Sequence, residues 1–209
     1  MLFRSHAGRH RLVWPQPDHR AEERGNGAGV RGDRGGRLGR RPAAKLAGAR
    51  PVGIAGGKEK CAYAVKELGY DVCVDHKSPN FAEELKTALP NGIDGLFENV
   101  GGEPFQQALR RLNDFSRVAL CGLIASYEGA PTTLPDMRIF LVKRFKMEGF
   151  ISGDHLDLWP KAIGELVDLA AAKKLTWRET IRDGLENAPQ ALVDLLHGGN
   201  FCKMLVRVD

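Results

Sequence analysis

The stretch from Arg50 to Gly102 reads RPVGIAGGKEKCAYAVKELGYDVCVDHKSPNFAEELKTALPNGIDGLFENVGG and has the pattern of a βαβαβ unit. Three short apolar segments, Pro51–Ala55, Val72–Asp75 and Gly95–Val100, alternate with two segments of helical periodicity. Parallel strands joined by right-handed helical crossovers form an open α/β sheet, and such sheets bind ligands beyond the carboxyl ends of their strands. We therefore expect the functional residues to lie at the strand ends.

The end of the first strand carries glycines followed by lysines. Gly56 and Gly57 let the backbone approach a ligand closely, and Lys58 and Lys60 lie at the start of the next helix. In dinucleotide-binding folds an acidic residue near this position holds the ribose 2′-hydroxyl, whereas a basic residue accommodates a 2′-phosphate. The lysines favour NADP over NAD. The simpler alternative is that both are solvated lysines of a first helical turn.

The rest of the chain continues the alternation of helices and strands. The first predicted helix has Cys61, Ala62, Val65 and Leu68 on its apolar face. The predicted helices are Lys58–Leu68, Pro79–Leu89, Pro104–Leu112, Met137–Phe145, Leu156–Lys173 and Asn187–Leu196. The further predicted strands are Arg117–Gly122, Met147–Ile151, Leu175–Ile181 and Met204–Val208.

The positive charge of the chain is confined to its first 43 residues. This segment holds ten arginines against four acidic side chains, a charge of +6, so the remaining residues carry −1 of the total of +5. Few aliphatic residues and no sustained periodicity predict a disordered arm. An arm of this composition could bind nucleic acid through phosphate contacts, but it has few aromatic residues to stack on bases. We predict no nucleic-acid partner.

Two classes of protein are disfavoured by the composition. No apolar run of 18 residues is present, so we predict no membrane partner. The four cysteines lie far apart, with no C-x-x-C pair and no histidine at metal-ligand spacing. We therefore predict no metal site, no disulfide framework and a cytoplasmic protein with reduced thiols.

The segment before residue 44 lacks the first strand and the glycine-rich loop of a Rossmann unit. Ala44–Arg50 has the pattern of the end of the helix that should follow that loop. Back-translated with GC-rich codons and read one base later, residues 25–43 can encode ETVLVSAATGAVGSVVGQL, which is a strand, a glycine-rich turn and a helix start. We hypothesise that residues 1–43 are an out-of-frame translation. The predicted fold is an α/β, incomplete Rossmann-like, doubly wound parallel sheet preceded by a disordered arm.

Residues 44–209 resemble the cofactor-binding half of the medium-chain dehydrogenase/reductase superfamily. Within it they are most similar to the zinc-independent, NADP-dependent enone and alkenal reductases of the prostaglandin reductase type. The matching segments, in the order of the family, are GIAGGKEKC, IDGLFENVGG, RVALCGLIASY, LVKRFKMEGF, LTWRETIRDGLENAPQAL and GGNFCKMLVRV. The resemblance implies an NADP-binding domain over residues 44–185, and a helix and strand over 186–209 that dock on a catalytic domain.

The resemblance also implies roles for individual residues. Lys60, with Gly57 before it, would face the 2′-phosphate, and His76 stands where the family has a tyrosine that helps to hold it. Tyr127 is the candidate for a catalytic hydroxyl near the substrate oxygen. The remaining implied cofactor contacts are Asn99, Gly101, Cys121, Gly122, Ile124, Ser126, Tyr127, Phe150, Ile151 and Asn200. From local pattern alone, Cys121 could equally be a small core residue, Asn99 a turn residue and Tyr127 a half-buried aromatic.

The activity implied by the resemblance is NADPH-dependent reduction of the C=C bond of α,β-unsaturated carbonyl compounds. A homodimer is also implied. At Cys202 the family has glycine, which weakens the implied contact there. Because the phosphate loop is absent, we expect these 209 residues to bind NADP weakly and to catalyse little. The competing functions are a non-catalytic dimerisation partner and a quinone or alcohol oxidoreductase of the same superfamily.

Overall fold

The fold was analysed in a computed structural model that describes residues 2–4, 26–28, 49–127, 129, 135–149, 151–173, 178–201 and 203–208, the first two segments as backbone only. The strands are β1 (Leu2–Arg4), β2 (Asn26–Ala28), β3 (Val52–Ala55), β4 (Val72–Asp75), β5 (Ile93–Glu98), β6 (Leu112–Leu120), β7 (Lys146–Gly149), β8 (Glu179–Asp183) and β9 (Lys203–Arg207). The helices are α1 (Lys58–Lys66), α2 (Phe81–Ala88), α3 (Gly102–Leu109), α4 (Arg138–Lys143), α5 (Trp159–Ala171) and α6 (Ala188–Leu196).

The predicted βαβαβ unit is confirmed. Each of its three strands is present, with α1 and α2 as the two crossovers. β3 pairs with β4 in parallel, and β5, β6 and β7 form a second parallel block in that order. The alternation of apolar strands with helices therefore identified the parallel sheet correctly.

The two parallel blocks share one hydrophobic core. Val52 and Ile54 of β3 pack in the same cluster as Leu85 of α2, Leu96 of β5 and Leu109 of α3. Phe97, the neighbour of Leu96, packs instead against a second cluster formed by Ala64, Leu68 and Tyr70 around α1. This alternation places β5 between two helical layers, as a doubly wound sheet requires.

No described strand ladder joins β3 to β5 directly. The edge of β5 is met by β1, which runs antiparallel and is opposite it at Leu2 and Leu96. β1 also pairs with β2 in antiparallel register. An open strand edge presents unpaired N–H and C=O groups that accept an extended segment, which accounts for this addition. The sequence predicted an arm without regular structure, whereas the six residues of β1 and β2 form strands. The rest of residues 1–43 lies outside the described part of the chain.

The C-terminal segment forms a small parallel pair of its own. β8 and β9 are aligned from Glu179 opposite Lys203 to Asp183 opposite Arg207, and α6 connects them. The predicted boundary between residues 185 and 186 passes between these two paired strands. Predicted strand Leu175–Ile181 starts later than expected, at Glu179, and residues 174–177 lie outside the described ranges. Among the described helices, none combines the length and the hydropathy needed to cross a bilayer.

Candidate cofactor site

The carboxyl ends of β3 to β7 lie along the sheet edge where the predicted site residues gather. Parallel registers align Ala55 with Asp75, Glu98 with Leu120, and Leu120 with Gly149. The loops that follow these strand ends carry most of the predicted cofactor contacts. This edge is the one at which doubly wound sheets bind their ligands.

The turn after β3 is held open by a carboxylate from the next strand. Gly57 has a φ of 98°, a conformation that disfavours other residues, and its N–H donates a hydrogen bond of 2.7 Å to Oδ1 of Asp75. The N–H of Lys77 donates to the same oxygen at 2.9 Å. A Cβ placed on Gly57 would meet no described atom within 4 Å, so a ligand can approach this backbone closely.

Asp75 is ionised under ordinary conditions. Burial raises the pKa of its carboxyl group, but the N–H donors of Gly57 and Lys77, together with the positive charges of His76 and Lys77, hold that pKa below its usual range. The same carboxylate therefore stabilises the positive-φ turn on which α1 begins.

Lys60 connects this turn to the C-terminal segment. Its Nζ donates a hydrogen bond of 2.7 Å to the carbonyl oxygen of Gly198. Beside it, the rings of Tyr63 and Phe201 meet edge to face with centroids 5.0 Å apart. Asn200, a predicted contact, is 2% exposed in the same turn. The turn between α6 and β9 thus packs on α1.

His76 lies at the neighbouring strand end. Its backbone N–H donates to the carbonyl oxygen of Ala55 at 2.9 Å, which extends the parallel ladder by one bond. His76, Gly57 and Lys60 are therefore on one edge of the β3–β4 block, as the sequence predicts.

The end of β5 contains a buried carboxylate that the sequence reasoning did not single out. Glu98 is completely buried, and its Oε1 accepts hydrogen bonds from the N–H groups of Asn99, Val100 and Gly101 at 2.9, 2.5 and 2.7 Å. Gly101 has a φ of 79°, so the chain turns sharply into α3. Three donors on one acceptor oxygen fix the conformation of the predicted contacts Asn99 and Gly101.

The protonation of Glu98 is governed by its burial. Its Oε2 has no hydrogen-bond partner among the described residues. Burial raises the pKa of this carboxyl group to about 7, although the N–H groups of Gly101, Val100 and Asn99 act in the opposite direction. A residue with this pKa at the ligand-binding edge of a sheet is a candidate functional residue.

The loop after β6 is bonded to the loop after β5. The N–H of Cys121 donates to the carbonyl oxygen of Glu98 at 2.8 Å, and the N–H of Ala125 donates to that of Val100 at 2.8 Å. A Cβ on Gly122 would lie 2.6 Å from Oδ1 of Asn99, so the present position of the Asn99 side chain requires glycine there. The structure therefore brings Asn99, Gly101, Cys121 and Gly122 together.

The remaining predicted contacts lie later in the loop after β6 or directly after β7. Ile124 and Ser126 form a short 3-10 turn, after which the N–H of Tyr127 donates to the carbonyl oxygen of Ile124 at 3.2 Å. Tyr127 is 66% exposed and Ile151 is 70% exposed. Phe150 and Cys202 lie outside the described residues.

The chemistry of this edge fits a phosphorylated dinucleotide. An open glycine turn, a helix start and Lys60 are suited to a phosphate group, while the two joined loops present backbone and amide groups to a planar ring. In the described part of the chain, no group of three histidine, cysteine or carboxylate residues could hold a metal ion.

Two residues at this edge were missed from the sequence. Asp75 ends β4 and Glu98 ends β5, and each accepts backbone N–H groups of a glycine-containing turn. A carboxylate as the last residue of a strand, followed closely by a turn, was the available signal in both strands. That signal gives the position of the carboxylate but not its partners, which are the turn after the neighbouring strand β3 for Asp75 and its own turn for Glu98.

Comparison with known proteins gives a consistent match over the second part of the chain. A family model described as zinc-binding dehydrogenase matches residues 42–172. NADPH-dependent curcumin reductase of Escherichia coli is 44% identical over 174 residues, covering 78% of this chain and 50% of the relative. Prostaglandin reductase 1 of Rattus norvegicus is 36% identical over 168 residues, covering 78% of this chain and 51% of the relative.

A solved structure shows the same fold. The structure of CurA in complex with NADPH from Vibrio vulnificus is 40% identical, with a TM-score of 0.80, and the match covers 87% of this chain and 56% of that chain. The chain therefore spans about half the length of the relatives that it matches. The resemblance inferred from the sequence motifs is confirmed.

Proposed function

The chain belongs to the zinc-binding dehydrogenase family, and on that premise we propose that it binds NADPH along the carboxyl ends of β3 to β7 as the cofactor-binding part of an enone reductase. The observation that carries the proposal is the gathering of most of the predicted contacts at the carboxyl ends of these parallel strands. The similarity to an NADPH-bound structure of 40% identity supports it. The reaction would be reduction of the C=C bond of an α,β-unsaturated carbonyl compound.

The residues divide between the two ends of the cofactor. Lys60, with the N-terminus of α1 and the open turn at Gly57, would hold the 2′-phosphate, and His76 would lie beside it. The joined loops after β5 and β6 would line the nicotinamide side. When bound, NADPH supplies a hydride to the substrate. The exposed hydroxyl of Tyr127 would donate a hydrogen bond or a proton to the substrate carbonyl oxygen.

Substitution of Lys60 tests the cofactor assignment. We expect Lys60→Ala to weaken NADPH binding about tenfold and NADH binding much less, because only NADPH carries the 2′-phosphate. Lys66→Ala, a change on the last turn of the same helix, is the matched control and should leave both affinities unchanged. Equal losses for the two nucleotides in Lys60→Ala would contradict the assigned role.

The chemistry is tested by a substrate panel. Loss of NADPH absorbance with enones and alkenals, compared with quinones, and gain of NADPH absorbance from NADP+ with alcohols, separate the proposed activity from the other oxidoreductase activities considered. Turnover with quinones or alcohols alone would overturn the choice of C=C reduction.

Further proposals concern organisation. We propose residues 44–185 as the cofactor-binding part, with 186–209 docking on a catalytic domain, in a cytoplasmic homodimer. β7 is the last strand of its block, and Leu141 on neighbouring α4 is 80% exposed, which supports an interface at this edge.

The family match begins at residue 42, which supports the hypothesis that residues 1–43 are out of frame. Resequencing the DNA across the codons for residues 38–46 tests it.

A further inference from the structure

The buried carboxylate at the end of β5 is the feature that the proposed function does not yet use. Glu98 has no exposed surface, although it is a charged type of residue and ends its strand at the binding edge. A buried carboxylate costs free energy unless hydrogen bonds compensate for its lost hydration. The position of this carboxylate at the ligand-binding edge is accounted for by the groups to which it is hydrogen-bonded.

Glu98 holds its own turn. The three N–H groups that converge on its Oε1 belong to consecutive residues, so the side chain closes a compact loop over Asn99–Gly101. These N–H groups precede α3 and would otherwise need other acceptors. The positive φ of Gly101 is part of the same turn.

The Asn99–Gly101 turn also fixes the position of the loop after β6. Backbone carbonyl groups of Glu98 and Val100 accept the N–H groups of Cys121 and Ala125. The side-chain oxygen of Asn99 lies against Gly122. A movement of the Asn99–Gly101 turn would therefore displace the second loop as well.

We propose that Glu98 is a positioning residue that sets the turn after β5 and, through it, the loop after β6, in the arrangement that lines the cofactor. This inference rests on the proposed function, and it concerns one side chain that none of the predicted contacts included. Glu98 acts through Asn99, Gly101 and Gly122 rather than by touching the cofactor itself.

Two substitutions separate geometry from charge. Glu98→Ala removes the acceptor of three N–H groups. Glu98→Gln keeps an oxygen at the Oε1 position and places an NH₂ group at the Oε2 position, where no described residue makes a hydrogen bond. Positioning therefore predicts that glutamine rescues what alanine loses.

The control is a second acidic residue on the same strand. Asp94 lies near the other end of β5, and its Oδ1 accepts a hydrogen bond of 2.6 Å from Nδ2 of Asn113. Asp94→Ala removes a comparable acceptor, away from the binding edge. It controls for a general loss of stability in β5.

Amide hydrogen exchange in the full chain without cofactor is the first readout. In Glu98→Ala we expect exchange at the three N–H groups of Asn99–Gly101 to quicken about tenfold more than exchange at Val118 in the core. The N–H groups of Cys121 and Ala125 should also exchange faster, because they donate to this turn. Glu98→Gln and Asp94→Ala should show no such local change. Equal acceleration at Val118, or unchanged exchange at the turn, would overturn the proposal.

NADPH titration is the second readout. We expect the dissociation constant to rise about tenfold in Glu98→Ala and less than about threefold in Glu98→Gln and Asp94→Ala. Unaltered affinity in Glu98→Ala would overturn the positioning role while leaving NADPH binding intact. If the unsubstituted chain binds no NADPH, the proposed function fails, and the part of the inference that concerns the cofactor fails with it, while exchange still reports on the turn.

Discussion

At the residue scale, Glu98 couples a buried charge to the shape of the site. Its carboxyl group is ordinarily half-ionised near pH 4.5, and burial raises its pKa to about 7 in the folded chain. A group with a raised pKa in the folded state favours the fold when protonated. The stabilisation of the fold by Glu98 is fully present at a pH below the pKa that Glu98 has in the unfolded chain. It is lost as the pH rises through the pKa that Glu98 has in the folded chain.

The pH dependence of stability follows from this shift. Relative to Glu98→Gln, which does not titrate, the free energy of unfolding of the unsubstituted chain should fall by about 3 kcal/mol between pH 4.5 and pH 7. Urea denaturation of both proteins across this range measures the difference. Parallel curves for the two proteins would show that folding leaves the pKa of Glu98 unshifted.

Gly122 tests the contact between the two loops. A methyl group there would meet Oδ1 of Asn99 at 2.6 Å, so Gly122→Ala should turn the Asn99 amide away at a cost of about 1 kcal/mol in stability and weaken NADPH binding. Gly164→Ala, within α5, meets no described atom within 4 Å and should stabilise the chain by about 0.5–1 kcal/mol. Thermal unfolding and NADPH titration of both variants measure these effects. Unchanged NADPH affinity in Gly122→Ala would remove Asn99 from the site.

Sequence patterns located the site at this scale only in part. Residue types after the first strand indicated Gly57 and Lys60, because glycine and lysine at this point have a limited set of uses. Asn99 and Gly101 were implied by the family resemblance alone. The bonds from Asp75 and Glu98 to glycine turns depend on side-chain rotamers, which strand periodicity does not determine. The individual roles of the predicted contacts stay predictions.

At the scale of elements, α1 and α5 show what helical periodicity can and cannot indicate. The predicted apolar face around α1 was confirmed at Cys61 and Leu68, which are buried, but Ala62 and Val65 are exposed and Ala64 is buried in their place. The buried face is rotated by about one residue, which places the small side chain of Ala64 against the sheet. Helix existence was predicted correctly, and the face was wrong at two positions.

α5 is an amphipathic helix whose apolar side remains uncovered by the described residues. Trp159, Ile163, Leu166 and Val167 recur at helical spacing and are between 39% and 59% exposed. Since the match spans only about half the length of the relatives, such a row is expected where further structure packs in them. The row contributes little to the stability of the described fold.

Substitution in this row measures how little it contributes. Ile163→Glu should change the free energy of unfolding by less than about 0.5 kcal/mol, because the side chain is already half in water. Leu85→Ala, at a residue that is 1% exposed in α2, should cost about 2–5 kcal/mol. Urea denaturation of both variants gives the comparison. A loss in Ile163→Glu as large as that in Leu85→Ala would mean that the apolar side of α5 is covered.

At the scale of the whole molecule, the order of helices and strands and, within the described residues, the absence of a first parallel strand before β3 were predictable, and the strand that meets β5 was not. Apolar alternation identified the parallel blocks because buried strands and amphipathic helices differ in period. The addition of β1 to β5 was not predicted, since three residues carry no periodicity and only the open edge favours their pairing. The long-range contact of Lys60 with Gly198 likewise joins parts of the chain that no local pattern relates.

The central claim is that one sheet edge of this chain binds NADPH. Backbone amide NMR spectra recorded during titration with NADPH test it most directly, because they detect even weak binding and identify the residues involved. We expect saturable shifts at Gly57, Lys60, Asn99, Gly101 and Gly122, with no shifts in α2. Absence of shifts at millimolar NADPH in a folded chain, or shifts confined to residues away from this edge, would contradict the claim.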